Sequence, residues 1–391
     1  MVPGPMSTLR PAPFPDLSGA VLTIDLGAVR DNYRTLRARL GGATCAAVLK
    51  ADAYGLGADR IAPVLAAEGC RHFFVAHLEE GIALRPHVPE AAEIYVLHGP
   101  MPGGEEATLA HRLIPVLNSL QQIDGWTALA RRCGEALPAV LQADTGMSRM
   151  GLSPAELAQI AADPRRLDGI ALMLVMSHLA CAERQDHPAN AMQRDRFDAI
   201  RRALPPAPAA LANSSGIFLD PSFHYDMARP GVALYGVAPV VGAPNPLRQA
   251  ISLKARVVQL REIAAGDAVG YGLTFQADGP RRIATIAVGY ADGFPRSISN
   301  RGTAYFGDVA LPIVGAVSMD SITLDVSALP DGTLQPGDAV DLIGPHRTLD
   351  EVGADAGTIG YEILTRLGHR YRRDYRDAVP ASKLVLEGVP S

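Results

Sequence analysis

Residues 46–57 read Ala46-Ala47-Val48-Leu49-Lys50-Ala51-Asp52-Ala53-Tyr54-Gly55-Leu56-Gly57. A short apolar run of β type ends here in a lysine. The chain has 36 basic residues, of which only three (positions 50, 254 and 383) are lysines and 33 are arginines. A lysine at position 50, where the chain otherwise uses arginine, therefore indicates a chemical role. An ε-amine can lose its proton and condense with an aldehyde, whereas a guanidinium cannot. The alternative is an ordinary charged residue at the end of a strand.

Short apolar runs alternate with helical patterns from this stretch onward, as far as about residue 228. A cap residue, a proline and a glutamate in Ser153-Pro154-Ala155-Glu156 mark one of the helix starts. Eight runs in alternation with helices predict an α/β fold, a (β/α)8 TIM-type barrel. The runs are Ala46–Leu49, Phe73–Ala76, Ile94–Leu97, Leu113–Leu117, Ala139–Gln142, Ile170–Met176, Ala209–Ala212 and Phe223–Ala228.

The pattern changes after about Leu247, where β-type segments are divided by Gly, Pro and Asp turns. A helix is expected near the end, within Asp350–Leu367. The sequence thus predicts a flexible N-terminal lead-in at residues 1–19, a barrel at 20–244 with an extra leading strand Val21–Asp25, and a mostly β C-terminal domain at 245–391. The predicted β segments are Ile251–Ile263, Ala268–Phe275, Arg282–Gly289, Ala304–Phe306, Val309–Val317, Ile322–Val326 and Ala339–Ile343.

Polar residues follow five of the eight predicted barrel strands. Since the carboxyl ends of barrel strands meet at one face, these residues are expected to share one pocket. Each also has a plainer interpretation: His178 as a core histidine, Arg149 as a surface charge, and Ser-Ser-Gly as a simple loop. The segments are Lys50 after the first strand, Asp144–Gly151 after the fifth, Ser177-His178 after the sixth, Asn213–Gly216 after the seventh and Arg229-Pro230-Gly231 after the eighth.

The stretch A-V-L-K-A-D-A-Y-G-L-G resembles the cofactor-binding motif of the alanine racemases. The resemblance implies that Lys50 holds pyridoxal 5'-phosphate as a Schiff base and that Tyr54 touches the phosphate. D-T-G-M-S-R-M-G is similar to the family segment whose arginine, here Arg149, contacts the substrate carboxylate. M-S-H-L-A and M-A-R-P-G-V-A-L-Y-G place His178 beside the catalytic groups and Arg229 at the pyridine nitrogen.

The phosphate is expected at the loops after strands seven and eight, where such barrels often bind phosphate groups. Ser214 and the amides of Gly231 and Val232 are the predicted contacts, with the backbone amides pointing at the anion. T-I-G-Y-E resembles a family segment that adds a further phosphate contact, Tyr361.

The resemblance continues in the C-terminal domain. V-G-Y-G-L-T-F is similar to the segment that supplies the second catalytic base, which would be Tyr271, and G-Y-A-D-G with Tyr290 follows. V-S-M-D supplies Met319 and Asp320, which in the family border the substrate carboxylate. The resemblance also implies a homodimer, in which Tyr271 and Met319 reach the site of the partner subunit.

Gln142 departs from the family pattern, in which many members have a carbamylated lysine that pairs with the neighbouring arginine. An amide accepts a hydrogen bond but offers no charge to Arg149. We therefore expect that added bicarbonate has no effect on activity and that a small anion such as chloride pairs with Arg149 instead.

Composition narrows the class of protein. With 48% hydrophobic and 20% charged residues the chain is of ordinary globular type, and a net charge of −5 argues against a nucleic-acid partner. No apolar stretch is long enough to span a membrane, so a cytoplasmic location is expected. Four widely spaced cysteines are predicted to be buried small hydrophobes and not metal ligands, and no metal is expected.

The function implied by the resemblance is an isomerase, an alanine racemase. It would interconvert L-alanine and D-alanine through a pyridoxal-phosphate aldimine with Lys50 and Tyr271 as the two bases, and would supply D-alanine for peptidoglycan. Two alternatives stay open: a broad-specificity racemase or related barrel decarboxylase, and a non-catalytic pyridoxal-phosphate carrier. Arg229 argues against the decarboxylase, since an acidic residue at the pyridine nitrogen would serve that reaction better. The C-terminal domain argues against the carrier, because carriers resemble the barrel alone.

Overall fold

The computed structural model describes residues 17–377. Most of the predicted lead-in, residues 1–19, lies outside them. Contacts group the chain into two compact units. We call residues 23–252, 348–367 and 375–377 the barrel unit, and residues 17–22, 253–347 and 368–374 the sheet unit.

The barrel unit is built from nine short strands and ten α-helices. Its strands are β2 Thr44–Cys45, β3 Ala47–Val48, β4 His72–Val75, β5 Glu93–Val96, β6 Ile114–Leu117, β7 Leu137–Gln142, β8 Ile170–Met176, β9 Ala209–Ala210 and β10 Met227–Ala228. Its helices are α1 Leu26–Arg39, α2 Lys50–Gly55, α3 Ala58–Ala67, α4 Leu78–Leu84, α5 Glu105–Ala110, α6 Leu120–Cys133, α7 Pro154–Ala162, α8 Pro188–Ala203, α9 Leu349–Ala356 and α10 Gly360–Arg366.

Seven parallel strands pair in the order β3-β4-β5-β6-β7-β8-β9, and β10 pairs in parallel with β2. The ring closes because the Arg229 amide donates to the Ala212 carbonyl at 2.9 Å and the Val48 amide donates to the Pro230 carbonyl at 2.9 Å. β3 lies within the first predicted strand, Ala46–Leu49, and β2 directly precedes that strand. All eight predicted strand positions are therefore occupied, and the predicted fold class is confirmed.

Two apolar layers hold the barrel together, because successive side chains of a strand point to opposite faces. Within β7, Val140 packs inside the ring while Ala139 and Leu141 face the helices. Within β8, Leu174 and Met176 point inward and Val175 points outward. Strands buried on both faces explain the nearly continuous apolar runs in the sequence.

The helix signals of the sequence are accurate where a cap defines them. Ser153 accepts from the Glu156 amide and Glu156 accepts from the Ser153 amide at 2.8 Å, so α7 begins with the predicted capping box. The predicted final helix is wrong in one respect. It is two helices, α9 and α10, because Gly357 adopts φ +73° and ends the first.

The sheet unit centres on β11, which pairs in antiparallel fashion with β14 and β18. β14 also pairs with β17, and β15 pairs with both β16 and β18. Its strands are β11 Ile251–Ile263, β12 Ala268–Val269, β13 Phe275–Gln276, β14 Arg281–Ile286, β15 Thr303–Phe306, β16 Val309–Pro312, β17 Ile322–Asp325, β18 Ala339–Ile343 and β19 Arg372–Arg376.

The extra leading strand, β1 Ala20–Asp25, joins this sheet beside β11 and β19, so it pairs outside the barrel. Helices α9 and α10 belong to the barrel unit, although the predicted division groups residues 245–391 together. That division stays a prediction. Cys45 and Cys70 are buried as expected, whereas Cys133 is exposed, so the expectation of four buried thiols is wrong for Cys133.

Candidate active site

A cavity of about 360 Å³ opens at the carboxyl ends of the barrel strands. Eight of the predicted site residues line it, which is what the strand-end positions imply. They are Lys50, Tyr54, Arg149, His178, Ser214, Arg229, Gly231 and Tyr361; the other lining residues are Val48, Ala76, Leu97, His98, Gln142, Met150, Met176 and Asn213.

Lys50 follows β3 and is largely withdrawn from solvent. Burial lowers the pKa of its ammonium, and the positive charge of Arg149 lowers it further, while Glu80 acts in the opposite direction. The Glu80 carboxylate also accepts from the amides of Ala51 at 2.6 Å and Ala76 at 2.7 Å. The lysine thus has a fixed backbone and an amine that gives up its proton more easily than an exposed one.

The backbone directly after Lys50 winds the wrong way. Ala51, Asp52, Ala53 and Tyr54 have φ between +53° and +57°, which forms one turn of left-handed helix without a glycine. Each L-residue in this conformation costs ~1–2 kcal/mol, because Cβ approaches the following carbonyl oxygen. Strain of this kind persists only where the surroundings impose it, and it concentrates at functional sites. The left-handed turn is what brings Tyr54, four residues on, back to the same cavity as Lys50.

The strain can be measured at Ala51, whose side chain is exposed. We expect Ala51→Gly to leave the free energy of unfolding unchanged or to raise it by up to about 1 kcal/mol, because glycine adopts positive φ freely. Ala51→Val should lower it by ~1–2 kcal/mol relative to Ala51→Gly. Urea unfolding of the purified variants measures both.

Ala158 provides the matched control, since it is exposed in the right-handed helix α7. There Ala158→Gly should lower the free energy of unfolding by ~0.5–1 kcal/mol. The same loss at Ala51 and Ala158 would show that Ala51 is not left-handed in solution.

Tyr54, Ser214 and Gly231 meet at one end of the cavity. The Ser214 hydroxyl oxygen accepts from the amides of Gly231 at 2.9 Å and Ala233 at 3.3 Å. A Cβ on Gly231 would lie 2.3 Å from the Tyr54 hydroxyl oxygen, so only glycine fits there. Val232 follows as the first residue of a short 3-10 helix, Val232–Tyr235. Hydroxyls and backbone amides therefore converge at the place where the sequence predicts a phosphate.

Two further tyrosines complete this end. Tyr54 packs against Tyr235 and Tyr361, with ring centroids 5.2 and 6.2 Å apart respectively. Burial, together with the nearby carboxylates of Glu183 and Asp350, raises the pKa of Tyr361 to about 12. Tyr361 therefore presents a neutral hydroxyl, able to donate a hydrogen bond to an anion.

Arg229 is 3% exposed and is only half satisfied. Its Nη2 donates to the carbonyl oxygen of Ser177, whereas Nη1 is buried and has no hydrogen-bond partner among residues 17–377. Burial lowers the pKa of the guanidinium to about 10, so it is still charged at neutral pH. An unpartnered donor in the interior is costly, and Nη1 is thus suited to an acceptor on a ligand.

His178 lies near Arg229 but, unlike Arg229, is uncharged at neutral pH. Burial lowers its pKa to about 3, and Arg229, Arg149 and Lys50 all act in the same direction. The imidazole is therefore neutral at neutral pH. Its Nε2 is 3.5 Å from the Asn213 amide nitrogen, a long contact.

Arg149 is carried by a tightly folded loop after β7. The Asp144 carboxylate accepts from the amides of Gly146 at 2.8 Å, Met147 at 3.0 Å and Ser148 at 3.1 Å. The Arg149 side chain itself is exposed, and among the described residues it forms no hydrogen bond or ion pair. Its position is set by the loop and not by a partner on the guanidinium. Gln142, in the place of the family lysine, is buried beside it.

The charges of the lining residues are one-sided. Lys50, Arg149 and Arg229 are basic, and no carboxylate lines the cavity within the described part of the chain. A pocket of this kind favours an anionic ligand or two anionic groups.

Of the predicted residues that do not line the cavity, Val232 belongs to the barrel unit and the others lie on the sheet unit. Tyr271 is 75% exposed and Met319 is 53% exposed, and Tyr290 is also exposed. Asp320 accepts from Arg370 at 2.8 Å, and Arg370 pairs with buried Asp292 at 3.0 Å. Met319, the chain neighbour of Asp320, thus adjoins a fixed ion-pair network.

Sequence reasoning missed several residues of the barrel site. Asn213 stands in a quoted motif but was not assigned a role, and His98 follows β5 at a strand end, where the same rule would have found it. Glu80 could not be found in this way, because it acts from helix α4 and not from a strand end, and it accepts from the Ala51 amide, which is 29 residues away in sequence.

Comparison with known proteins identifies the family. Residues 24–239 match the family model "Alanine racemase, N-terminal domain", and residues 250–375 match "Alanine racemase, C-terminal domain". The catabolic alanine racemase of Mesorhizobium japonicum is 53% identical over 358 residues, which cover 92% of this chain and 93% of that protein. The alanine racemase of Brucella canis is 51% identical over 371 residues, covering 92% and 94%.

Solved structures give the same result. The alanine racemase of Bartonella henselae, which has covalently bound pyridoxal phosphate, superimposes with a TM-score of 0.89 at 44% identity. The match covers 92% of this chain and all of that one. The biosynthetic alanine racemase of Pseudomonas aeruginosa superimposes with a TM-score of 0.86 at 35% identity, covering 92% and 100%. With both domain models and relatives of this identity matched, the chain belongs to the alanine racemase family of isomerases.

Proposed function

We propose that this chain is an alanine racemase that interconverts L-alanine and D-alanine with pyridoxal 5'-phosphate bound on Lys50. One observation supports this most strongly: a half-buried lysine with a lowered pKa lines a cavity whose other charged lining residues are Arg149 and Arg229. Such a pocket suits a phosphorylated aldehyde and a carboxylate substrate.

The residues present fit the cofactor. Lys50 supplies the amine for the covalent link, and Tyr54, Ser214, Gly231, Val232 and Tyr361 would hold the phosphate. Gly231 approaches Tyr54 too closely for any side chain at position 231. This end of the cavity therefore presents only small polar groups to a ligand. Arg229 would offer its unpartnered Nη1 to the pyridine nitrogen. When bound, pyridoxal phosphate withdraws electrons from the substrate and so makes its Cα–H acidic.

The protein's own groups then move the proton. Lys50 Nζ takes or returns the Cα proton on one face of alanine, and Tyr271 Oη does so on the other. Arg149 binds the substrate carboxylate, with Met319 and Asp320 at its border. His178, neutral and buried, braces the neighbouring groups without adding a fourth charge. Two bases on opposite faces of the substrate allow inversion at Cα, since a single base would have to move from one face of the substrate to the other.

Arg229 favours racemisation over the competing reactions. Its guanidinium would donate a hydrogen bond to the pyridine nitrogen but would not hand over its proton, because its pKa is about 10 even when buried. Arg229 would thereby make the bound cofactor a weaker electron acceptor, which would disfavour transamination and decarboxylation. A broad-specificity racemase is the remaining alternative. Tests with several amino acids distinguish it from a racemase that acts on alanine alone.

We also propose a homodimer. Large apolar side chains are exposed on the sheet unit at Tyr271, Leu273, Tyr290 and Met319. The backbone links the segments of two of them, Tyr290 and Met319, since the Tyr290 amide donates to Ser318 O and the Ala291 amide donates to Met319 O, both at 3.0 Å. An exposed group of this kind marks an interaction surface. We assign it to a second copy of this chain, with Tyr271 and Met319 entering the partner's site.

The cellular setting belongs to the same proposal. No helix within residues 17–377 is both long and apolar enough to cross a membrane. We propose a cytoplasmic enzyme that supplies D-alanine for peptidoglycan, organised as a lead-in at 1–19, a barrel at 20–244 and a mostly β domain at 245–391.

The decisive experiment incubates purified protein, loaded with pyridoxal phosphate, with L-alanine and follows the loss of optical activity. We expect the signal to fall to zero, since the two enantiomers have equal free energy in solution. L-Serine, L-lysine and L-glutamate are tested in parallel. Release of CO₂, or no change with any amino acid, would overturn the proposal.

A further inference from the structure

A buried amide outside the cavity connects two loops of the site. Gln193 lies on α8, is 0% exposed and does not line the cavity. Its Nε2 donates to Thr145 Oγ1 at 3.1 Å and to the His178 carbonyl at 2.9 Å. Its Oε1 accepts from the Ala180 amide at 2.8 Å. Both donors and the acceptor of the side chain are therefore used.

These contacts reach the loops that follow β7 and β8. Thr145 belongs to the loop that carries Arg149, and its Oγ1 also lies 2.7 Å from Ser177 Oγ. The Ser177 carbonyl in turn accepts from Arg229 Nη2. One amide side chain is thus joined through short bonds to the loop of Arg149, to the backbone of His178 and, through Thr145 and Ser177, to Arg229.

The Arg149 loop depends on such external support. The Arg149 guanidinium has no partner in the described part of the chain, and Gln142 offers it no charge. The loop is closed at its base, where the Leu152 amide donates to the Gln142 carbonyl at 2.8 Å and the Asp144 amide donates to the Leu152 carbonyl at 3.0 Å. Asp144 organises its interior. The contact of Gln193 with Thr145 ties the loop to the neighbouring strand end.

We propose that Gln193 is a positioning residue that sets the placement of Arg149 relative to His178, and thereby the affinity of the site for the substrate carboxylate. This rests on the proposed function, in which Arg149 binds that carboxylate. Loss of the amide leaves the His178 carbonyl and the Ala180 amide without their partner, and it loosens the link between the two loops, which the contact between the Thr145 and Ser177 hydroxyls still joins.

Two substitutions separate positioning from packing. Gln193→Met keeps the side-chain length but removes every hydrogen bond. Gln193→Glu keeps the shape, and in its protonated form the new carboxyl offers one donor and one acceptor in place of the two donors and one acceptor of the amide. The matched control is Asn190→Ala, because Asn190 is a buried amide on the same helix whose hydrogen bond goes to the Arg184 carbonyl at 3.0 Å, away from the site.

The measurements are hydrogen exchange of residues 144–150 and 177–180, the affinity of the loaded enzyme for propionate, and KM and kcat for alanine. For Gln193→Met we expect exchange in both segments, propionate dissociation constant and KM each to rise by at least ~tenfold, with a smaller change in kcat. Gln193→Glu should lie between Gln193→Met and the wild type. Asn190→Ala should change the melting temperature alone.

If Gln193→Met changed only the melting temperature, as the control does, the positioning role would be refuted. Hydrogen exchange is read without alanine, so a wild type that failed to racemise would refute the proposed function while exchange still tested the link between the loops. Unchanged exchange in both segments of Gln193→Met would refute the inference whatever the activity.

Discussion

Replacing Lys50 should abolish both racemisation and the covalent attachment of pyridoxal phosphate. We expect kcat/KM to fall at least ~10³-fold in Lys50→Ala, because the variant loses the anchoring amine and one of the two bases. Lys50→Arg should fail equally. A guanidinium keeps the charge but cannot condense with an aldehyde. Borohydride treatment followed by mass spectrometry should find the cofactor fixed to wild-type Lys50 and to neither variant.

The chain provides a matched control for this experiment. Lys254 is exposed on β11, where it pairs with Asp341 at 3.2 Å, so Lys254→Ala removes the same chemical group from a place outside the cavity. It should retain the activity and the reducible link. The melting temperature of Lys50→Ala should not fall, since the ammonium is withdrawn from water without an ion-pair partner in the cavity lining. A reducible link that survived in Lys50→Arg would place the anchor at another residue.

Most of the fold could be predicted because it depends on patterns repeated along the chain. Barrel strands such as β7 and β8 are buried on both faces and are therefore apolar throughout, and caps such as Ser153 mark helix starts locally. The split between α9 and α10 was also readable, since Gly357 stands where a left-handed C-cap is needed. The exposure of the Cys133 side chain could not be predicted from the sequence, because it depends on where α6 ends relative to the neighbouring elements.

Residues of the candidate site could be predicted only where the chemistry requires a particular residue type. Lys50, Arg149 and Arg229 were found from the motifs and strand ends. The left-handed turn from Ala51 to Tyr54 has no local signal, since alanine and tyrosine prefer the opposite hand and only tertiary contacts overcome that preference. Gln193 was missed for a related reason: a glutamine within a helix is usually solvent-exposed, and its burial depends on two loops that precede it by 15 and 48 residues.

Tyr271→Phe should separate the two proton transfers. The phenol oxygen is lost, so one enantiomer of alanine keeps its proton while Lys50 still exchanges that of the other. We expect racemisation to fall by ~10²–10⁴-fold, as for loss of a general base. Exchange of the α-proton in D₂O, followed by NMR on each pure enantiomer, should survive for one enantiomer only. Because Tyr271 is 75% exposed on its own chain, the change should leave the fold of that chain intact. Tyr305→Phe, also in the sheet unit, is the control that keeps both activities.

A mixture of two inactive variants tests whether this tyrosine serves the partner's site. In a dimer of one Lys50→Ala chain and one Tyr271→Phe chain, sites shared between subunits would differ: one lacks both groups and the other has both. Random association makes half of the dimers mixed, so about a quarter of the wild-type activity should return on co-expression. If Tyr271 served the site of its own chain, every site would lack one group and no activity would return. Equal loss of α-proton exchange from both enantiomers in Tyr271→Phe alone would contradict the two-base assignment, whichever subunit supplies the tyrosine.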